Sequence, residues 1–222
     1  ADIDQAVQAI AGGIFEGSGQ SCVAGSRLFV QRGIYATVVA RLVDIARGLK
    51  VDLPDMAGAQ MGPLASFAQR DRVESLVNAA RDAGAEILAG GARPDGQQLA
   101  TGAYYLPTLI GGIDNSALIA QQEIFGPVLC VLAFDDEEDL IAQANDSVFG
   151  LASGIWTRDW ARAWRVARAL EAGTVWVNTY KQLSIATPFG GFKDSGLGRE
   201  KGIGGMRLYQ QSKGIFFGTQ TS

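Results

Sequence analysis

The sequence predicts an α/β fold in three layers, with helices on both faces of a largely parallel sheet. Short apolar runs alternate with stretches of helical period, glycines and prolines mark the joins, and no repeat or low-complexity tract interrupts the pattern. With 47% hydrophobic and 19% charged residues, the 222-residue chain can bury a sizeable core as one large domain or two small ones.

Residues 3–16 place Ile3, Ala6, Ile10 and Ile14 at helical spacing behind an N-cap at Asp2. Ser26–Gln31 reads as a strand, and Ile34, Val38, Leu42, Ile45 and Leu49 mark an amphipathic helix ending near Gly48. Residues 50–63 hold prolines, glycines and aspartates and read as a loop. A helix from about Ser66 to Ala83 turns Phe67, Val73, Leu76, Val77 and Ala80 inward, stops at Gly84 and leads to a strand at Glu86–Ala89. Tyr104–Ile110 and Val128–Phe134 read as strands. Asp135–Asp139 opens a helix whose N-terminal dipole favours acid. A strand at Ala152–Trp156 precedes a helix from Asp159 to Leu170. That helix sets Trp160, Ala163, Ala167 and Leu170 on one side and a solvated stripe of Arg158, Arg162, Arg165 and Arg168 on the other. Thr174–Asn178 and the apolar Ser212–Phe217 complete the strands, the last needing a partner edge.

Composition excludes several function classes. Acidic residues outnumber basic ones by 23 to 19, so a non-specific nucleic-acid binder is not expected. No apolar run of about 18 residues and no leader pattern is seen, so neither a membrane span nor a signal peptide is expected. Two cysteines, Cys22 and Cys130, are too few for a disulfide scaffold and suit a reducing, cytoplasmic setting. The chain has no histidine, which removes Cys-His pairs, Ser-His-Asp triads and His-ligated zinc, and no metal site is expected.

Cys22 lies in Gly17-Ser-Gly-Gln-Ser-Cys-Val-Ala-Gly-Ser-Arg27, among glycines that allow close backbone approach. It reads either as a nucleophile, with backbone N–H groups nearby for an oxyanion, or as a small buried hydrophobe. Cys130, inside an apolar strand, reads as buried and inert. The run from Thr187 to Glu200 is dense in glycine, yet neither G-x-G-x-x-G nor a P-loop occurs, so no phosphate cradle is recognisable.

Four segments together resemble the aldehyde dehydrogenase superfamily: Gly19-Gln-Ser-Cys22 with Ala24-Gly-Ser-Arg27; Glu123-Ile-Phe-Gly-Pro127; Ala172-Gly-Thr-Val-Trp-Val-Asn178; and Pro188-Phe-Gly-Gly-Phe-Lys193 with Ser195-Gly196 and Gly198-Arg-Glu200. The resemblance runs over essentially the whole chain in family order. It implies an aldehyde dehydrogenase catalytic-domain-like fold over residues 1–211, followed by a C-terminal oligomerisation strand and tail over 212–222. It also implies an enzyme that oxidises an aldehyde to a carboxylic acid with NAD or NADP. Cys22 would form the thiohemiacetal and thioacyl intermediates. Glu123 and Phe125 would bind the cofactor at the ribose beside nicotinamide, whereas on their own they read as a surface carboxylate and a core aromatic. Ser21, Val23, Lys181, Leu183 and Phe189 would line the substrate pocket, and Lys181 could draw a carboxylated aldehyde. Glu200 reads either as a family acid linked to proton movement or as an ion pair holding the glycine turn.

The resemblance further implies a homo-oligomer, a dimer or tetramer, joined through the C-terminal strand. The family's dinucleotide-binding domain, oxyanion asparagine and general-base glutamate belong upstream and are absent from these residues, so the chain is expected to be a catalytic-domain fragment inactive in hydride transfer by itself. The rival reading is a Cys-dependent acyl hydrolase or acyltransferase that never uses nicotinamide.

Overall fold

The computed structural model describes residues 1–218. Helix α1 (Ile3–Phe15) starts where the Asp2 carboxylate accepts from the Gln5 amide at 3.2 Å, and it runs into a 3-10 turn, Glu16–Gly19. Strand β1 (Arg27–Gln31), helix α2 (Tyr35–Gly48) and helix α3 (Phe67–Asp82) follow. Next come β2 (Glu86–Ala89), the one-turn α4 (Gln97–Ala100), β3 (Thr108–Gly111), the short α5 (Leu118–Gln121) and β4 (Val128–Phe134). The chain continues through α6 (Glu137–Asn145), β5 (Phe149–Gly150), β6 (Ala152–Ile155) and α7 (Trp160–Ala169). It ends with β7 (Thr174–Val177), β8 (Phe192–Lys193) and α8 (Gly202–Arg207). Among the described residues no helix is long and apolar enough to cross a membrane.

The main sheet has the order β1-β4-β3-β2, with β1 and β3 parallel to β4 and β2 antiparallel at one edge. Strand β4 divides the core because successive side chains on a strand point to opposite faces. Leu129 and Val131 join Leu109, Val30 and the inner faces of α1 and α2 on one side. On the other side, Val128, Cys130 and Leu132 join Ile110, Tyr105 and the Val73 and Val77 face of α3. Burial of each such side chain contributes about 1.5–3 kcal/mol. Strands β6 and β7 pair in parallel as a second small sheet, and β5 pairs antiparallel with β8. Among the described residues, β1 and β6 each keep one edge unpaired.

Several expectations need correction. The predicted strand at Tyr104–Ile110 starts only at Thr108, since Pro107 has no N–H for a ladder. Tyr104 and Tyr105 are instead buried in irregular chain. Phe67 and Trp160, expected inward, are exposed, because α3 and α7 seat on Val73, Val77, Ala163 and Val166. The arginine stripe of α7 is not simply solvated: Arg165 grips Glu137 through two bonds of 3.0 Å and Arg162 lies 3.4 Å from the same carboxylate, holding it below its usual range. Ser212–Phe217 forms no strand within the chain, and Ile215, Phe216 and Phe217 are exposed. It pairs with none of the sheet edges among the described residues. Residues 219–222 of the expected tail lie outside the described residues.

The turn joining α1 to β1 positions the site. Gly17, Ser18 and Gly19 all adopt left-handed dihedrals, with φ of 61°, 57° and 70°. Ser18 is buried and donates its hydroxyl to the Gly62 carbonyl at 2.9 Å, while the Gln20 side chain accepts from the Ala65 amide at 2.9 Å. A β carbon on Gly19 would run into the Gly126 carbonyl and the Pro127 nitrogen, whereas one on Gly17 would meet nothing. Gly17→Ala should therefore cost only the left-handed penalty of about 1–2 kcal/mol. Gly19→Ala should lose a further amount, about 1–3 kcal/mol, through the forced separation of two backbones. Denaturant midpoints of the two variants at unchanged slope decide the point, and equal losses would show that the close approach constrains nothing.

Candidate active site

Cys22 stands at the tip of the turn that follows α1, and its side chain is exposed. The turn is closed by the Ala24 amide donating to the Ser21 carbonyl at 2.9 Å, and the Ser26 carbonyl then accepts from the Cys130 amide at 2.8 Å as β1 enters the sheet. Among the described residues the Cys22 amide has no backbone acceptor, which leaves an N–H beside the sulfur. The Tyr180 hydroxyl donates to the Val23 carbonyl at 3.0 Å, directly beyond the cysteine. Cys130 is the opposite case. It is fully buried in β4, and burial pushes its thiol up to about 12, so it carries no thiolate at neutral pH.

The second part of the site is Glu123–Phe125, between α5 and β4. Ile124 is anchored in the core, so the residues on either side of it, Glu123 and Phe125, are exposed. Phe125 holds a left-handed φ of 54°, a strained state for a non-glycine residue. Helix α3 holds this segment through its main chain. Gln69 Nε2 donates to the Ile124 and Phe125 carbonyls at 3.0 and 2.8 Å, and Arg72 donates to the Ile124 and Glu123 carbonyls at 2.8 Å each. Among the described residues the Glu123 carboxylate makes no ion pair or hydrogen bond and remains a free acceptor. Arg27, at the start of β1, adds a further tie: it donates to Asn115 Oδ1 at 2.6 Å and to the Ala144 carbonyl at 3.0 Å, and the Gln121 side chain donates to the Asn115 carbonyl at 2.6 Å. Burial lowers the Arg27 pKa, against the field of Asp146, and the guanidinium donates to the Gln143 and Ala144 carbonyls at the end of α6.

One open cleft of about 840 Å³ is lined by Ser21, Cys22, Val23, Glu123 and Phe125, and it extends between the unpaired edges of β1 and β6. It does not include Lys181, Leu183 or Phe189. The Lys181 ammonium lies 3.4 Å from the Gly12 carbonyl, Leu183 faces solvent, and the Phe189 ring sits 5.6 Å from the Lys201 ammonium. The glycine turn near Phe189 is held by Arg199, which donates to the Gly191 and Gly198 carbonyls at 2.8 Å, and Glu200 joins it only through backbone bonds to Phe189. Sequence reasoning missed Gln69, Arg72 and Tyr180. The polar spacing of Gln69 and Arg72 on one helix face was the available signal for the first two, since i and i+3 lie side by side.

The match to a family model for the aldehyde dehydrogenase family covers residues 1–215. The chain is 42% identical to a betaine aldehyde dehydrogenase of Mesorhizobium japonicum over 99% of its own length and 45% of the relative's. It is 41% identical to one of Brucella melitensis over 97% and 44%. Among solved structures, it superposes at TM-score 0.93 and 40% identity on a Staphylococcus aureus betaine aldehyde dehydrogenase in complex with NAD+ and carrying a modified cysteine, over 96% of this chain and 43% of that one. An NAD+ complex of a Bacillus cereus aldehyde dehydrogenase gives 0.91 and 40% over 95% and 42%. The chain thus spans less than half the length of the curated relatives it matches. Over that span the family match, the shared sequence and the common fold agree: this chain belongs to the aldehyde dehydrogenase family.

Proposed function

We propose that this chain supplies the nucleophile and the nicotinamide-ribose contacts of an NAD(P)-dependent aldehyde dehydrogenase that oxidises an aldehyde to a carboxylic acid. The observation that carries this reading is the convergence of an exposed Cys22 and an unpartnered Glu123 on one cleft, on turns whose backbones touch at Gly19 and Gly126. Cys22 attacks the aldehyde carbon to form a thiohemiacetal. Its own amide, lacking a backbone acceptor, can donate to the oxygen as charge develops there. An ionised Glu123 suits two ribose hydroxyl donors, and the exposed Phe125 ring offers a face beside them, so these residues fit one ribose of a dinucleotide. Glu123 and Phe125 would hold the nicotinamide ribose of NAD(P)+, which would supply the hydride acceptor for oxidation at the carbon bonded to Cys22. The named relatives favour NAD+ and an aldehyde of the betaine aldehyde type as the physiological pair. The anionic aldehyde expected from Lys181 gains no support, since that ammonium lies 3.4 Å from the Gly12 carbonyl of α1 and outside the cleft. The exposed apolar segment around Phe216 is suited to pair with a second copy of the chain, making the intact enzyme a homo-oligomer.

Three outcomes test the reading. Iodoacetamide should label Cys22 and leave Cys130 unmodified until the chain unfolds, as mass mapping will show; prior labelling of Cys130 would remove Cys22 from its role. In the full-length enzyme carrying this segment, Glu123→Gln should raise KM for the nicotinamide cofactor about 10- to 100-fold, the value of a hydrogen bond to a charged group. An unchanged cofactor KM would exclude the ribose contact. The 222-residue chain alone should capture aldehyde or ester stoichiometrically at Cys22 without sustained NADH production, because positioning of the reacting partners accounts for about 7–11 kcal/mol and one ribose contact cannot supply it. Aldehyde-dependent NADH turnover by the chain, abolished in Cys22→Ala, would show that the cofactor site is complete within it.

A further inference from the structure

Tyr180 fills a socket that three separate parts of the chain leave open for it. A β carbon on Gly13 of α1 would stand 3.0 Å from the Tyr180 ring, one on Gly154 of β6 would stand 2.7 Å from it, and one on Gly25 would stand 3.3 Å from its hydroxyl. Trp176 meets the ring edge-on, with centroids 4.9 Å apart at 60°, and its indole N–H donates to the Gln182 carbonyl at 2.7 Å. The ring is therefore fixed from four sides, and the chain just beyond it is fixed as well. Its hydroxyl is spent on one acceptor, the Val23 carbonyl, at 3.0 Å.

That carbonyl belongs to the peptide immediately following Cys22. The other restraints on the turn are mostly local: the Ala24 amide closes it onto Ser21, the Val23 amide reaches Ser21 Oγ at 3.4 Å, and the Ser26 amide donates to the Ala24 carbonyl at 2.9 Å. Longer-range ties run from the Gly25 amide to the Gly13 carbonyl at 3.4 Å and from the Ala65 amide to the Gln20 side chain at 2.9 Å. On the far side, Tyr180 is followed by Lys181, in a left-handed conformation with φ of 57°. A phenylalanine would fill the same socket, so packing alone does not call for the hydroxyl. Burial pushes the Tyr180 pKa up to about 12, so the group remains a donor at any pH where the protein is assayed.

We infer that Tyr180 is a positioning residue for the nucleophile, its ring seated in the glycine socket and its hydroxyl orienting the main chain that carries Cys22. Through the same side chain, the turn bearing the sulfur is coupled to the loop beginning at Lys181. The Glu123 segment has its own support in Gln69 and Arg72, so the inferred effect is confined to the attacking group. The inference rests on the proposed role of Cys22.

The test uses the full-length enzyme carrying this segment, and an aryl ester without nicotinamide, so that only attack by the cysteine is read. Tyr180→Phe should slow the acylation burst about 10-fold, in the range a small misplacement of a reacting group produces. It should leave KM for the cofactor within about twofold, as expected for a defect that does not touch cofactor binding. Gly154→Ala keeps the hydroxyl but presses a methyl group on the ring; it should slow the burst similarly, and the double variant should be no slower than either single one. Should Gly154→Ala fail to fold, Tyr180→Phe decides alone. A burst within about twofold of the unsubstituted enzyme in Tyr180→Phe overturns the inference. So does a slower burst accompanied by an equal rise in cofactor KM and a lowered melting midpoint, which would mark general loosening. Cys22→Ala run in parallel must show no burst; a burst surviving there would overturn the nucleophile assignment itself, separately from Tyr180.

Discussion

Two backbones meet where Gly19 lies against Gly126 and Pro127, with no room for a β carbon between them. This contact sets the distance between the cysteine turn and the Glu123 segment, and much of the surrounding structure serves to maintain it. Left-handed dihedrals at three successive residues bring Gly19 to that position, and Ser18 secures them by donating into the Gly62 carbonyl. From the opposite side, α3 holds three consecutive carbonyls, so the strained Phe125 cannot relax away. The strain, of order 1–3 kcal/mol for such a residue, is tolerated because charge-assisted and amide hydrogen bonds over-determine the segment.

The sheet explains why these two turns are neighbours at all. β1 and β4 are parallel and adjacent, with Arg27 opposite Cys130, so the segments entering them from one end must lie side by side. One of those entering segments carries Cys22 and the other carries Glu123 and Phe125. Parallel pairing thus converts two distant stretches of sequence into one cleft, at the amino ends of β1 and β4 rather than at the carboxyl ends where open α/β sheets most often bind ligands. The double core around β4 makes that pairing rigid, since its alternate residues are locked into helices on both faces.

Much of this was legible in the sequence because period and punctuation are local. The strands at Glu86–Ala89 and Val128–Phe134, the cap at Asp2 and the helix start near Ser66 follow from alternation, apolar runs and short polar side chains. The cysteine and Glu123 segments were recognisable as motifs, whereas their supports were not. Gln69 and Arg72 act on carbonyls about fifty residues away, and Tyr180 on one more than 150 residues away, and no local pattern encodes such a partner. Trp160 and Phe67 misled for a related reason: helical period identifies a stripe but does not say how far along the helix the sheet extends. Ser212–Phe217 has strand-forming composition yet pairs with no strand among the described residues, and pairing depends on a second surface as much as on propensity.

The clamp from α3 has one more consequence. Gln69 and Arg72 address only main-chain oxygens, so they are indifferent to which side chains stand at 123 and 125. The segment can exchange its exposed groups while its path stays fixed, apart from the tolerance for a left-handed residue at 125. Scaffold and contact chemistry are in this way separable, and a laboratory or lineage altering what these two positions touch starts from a loop that does not have to be refolded.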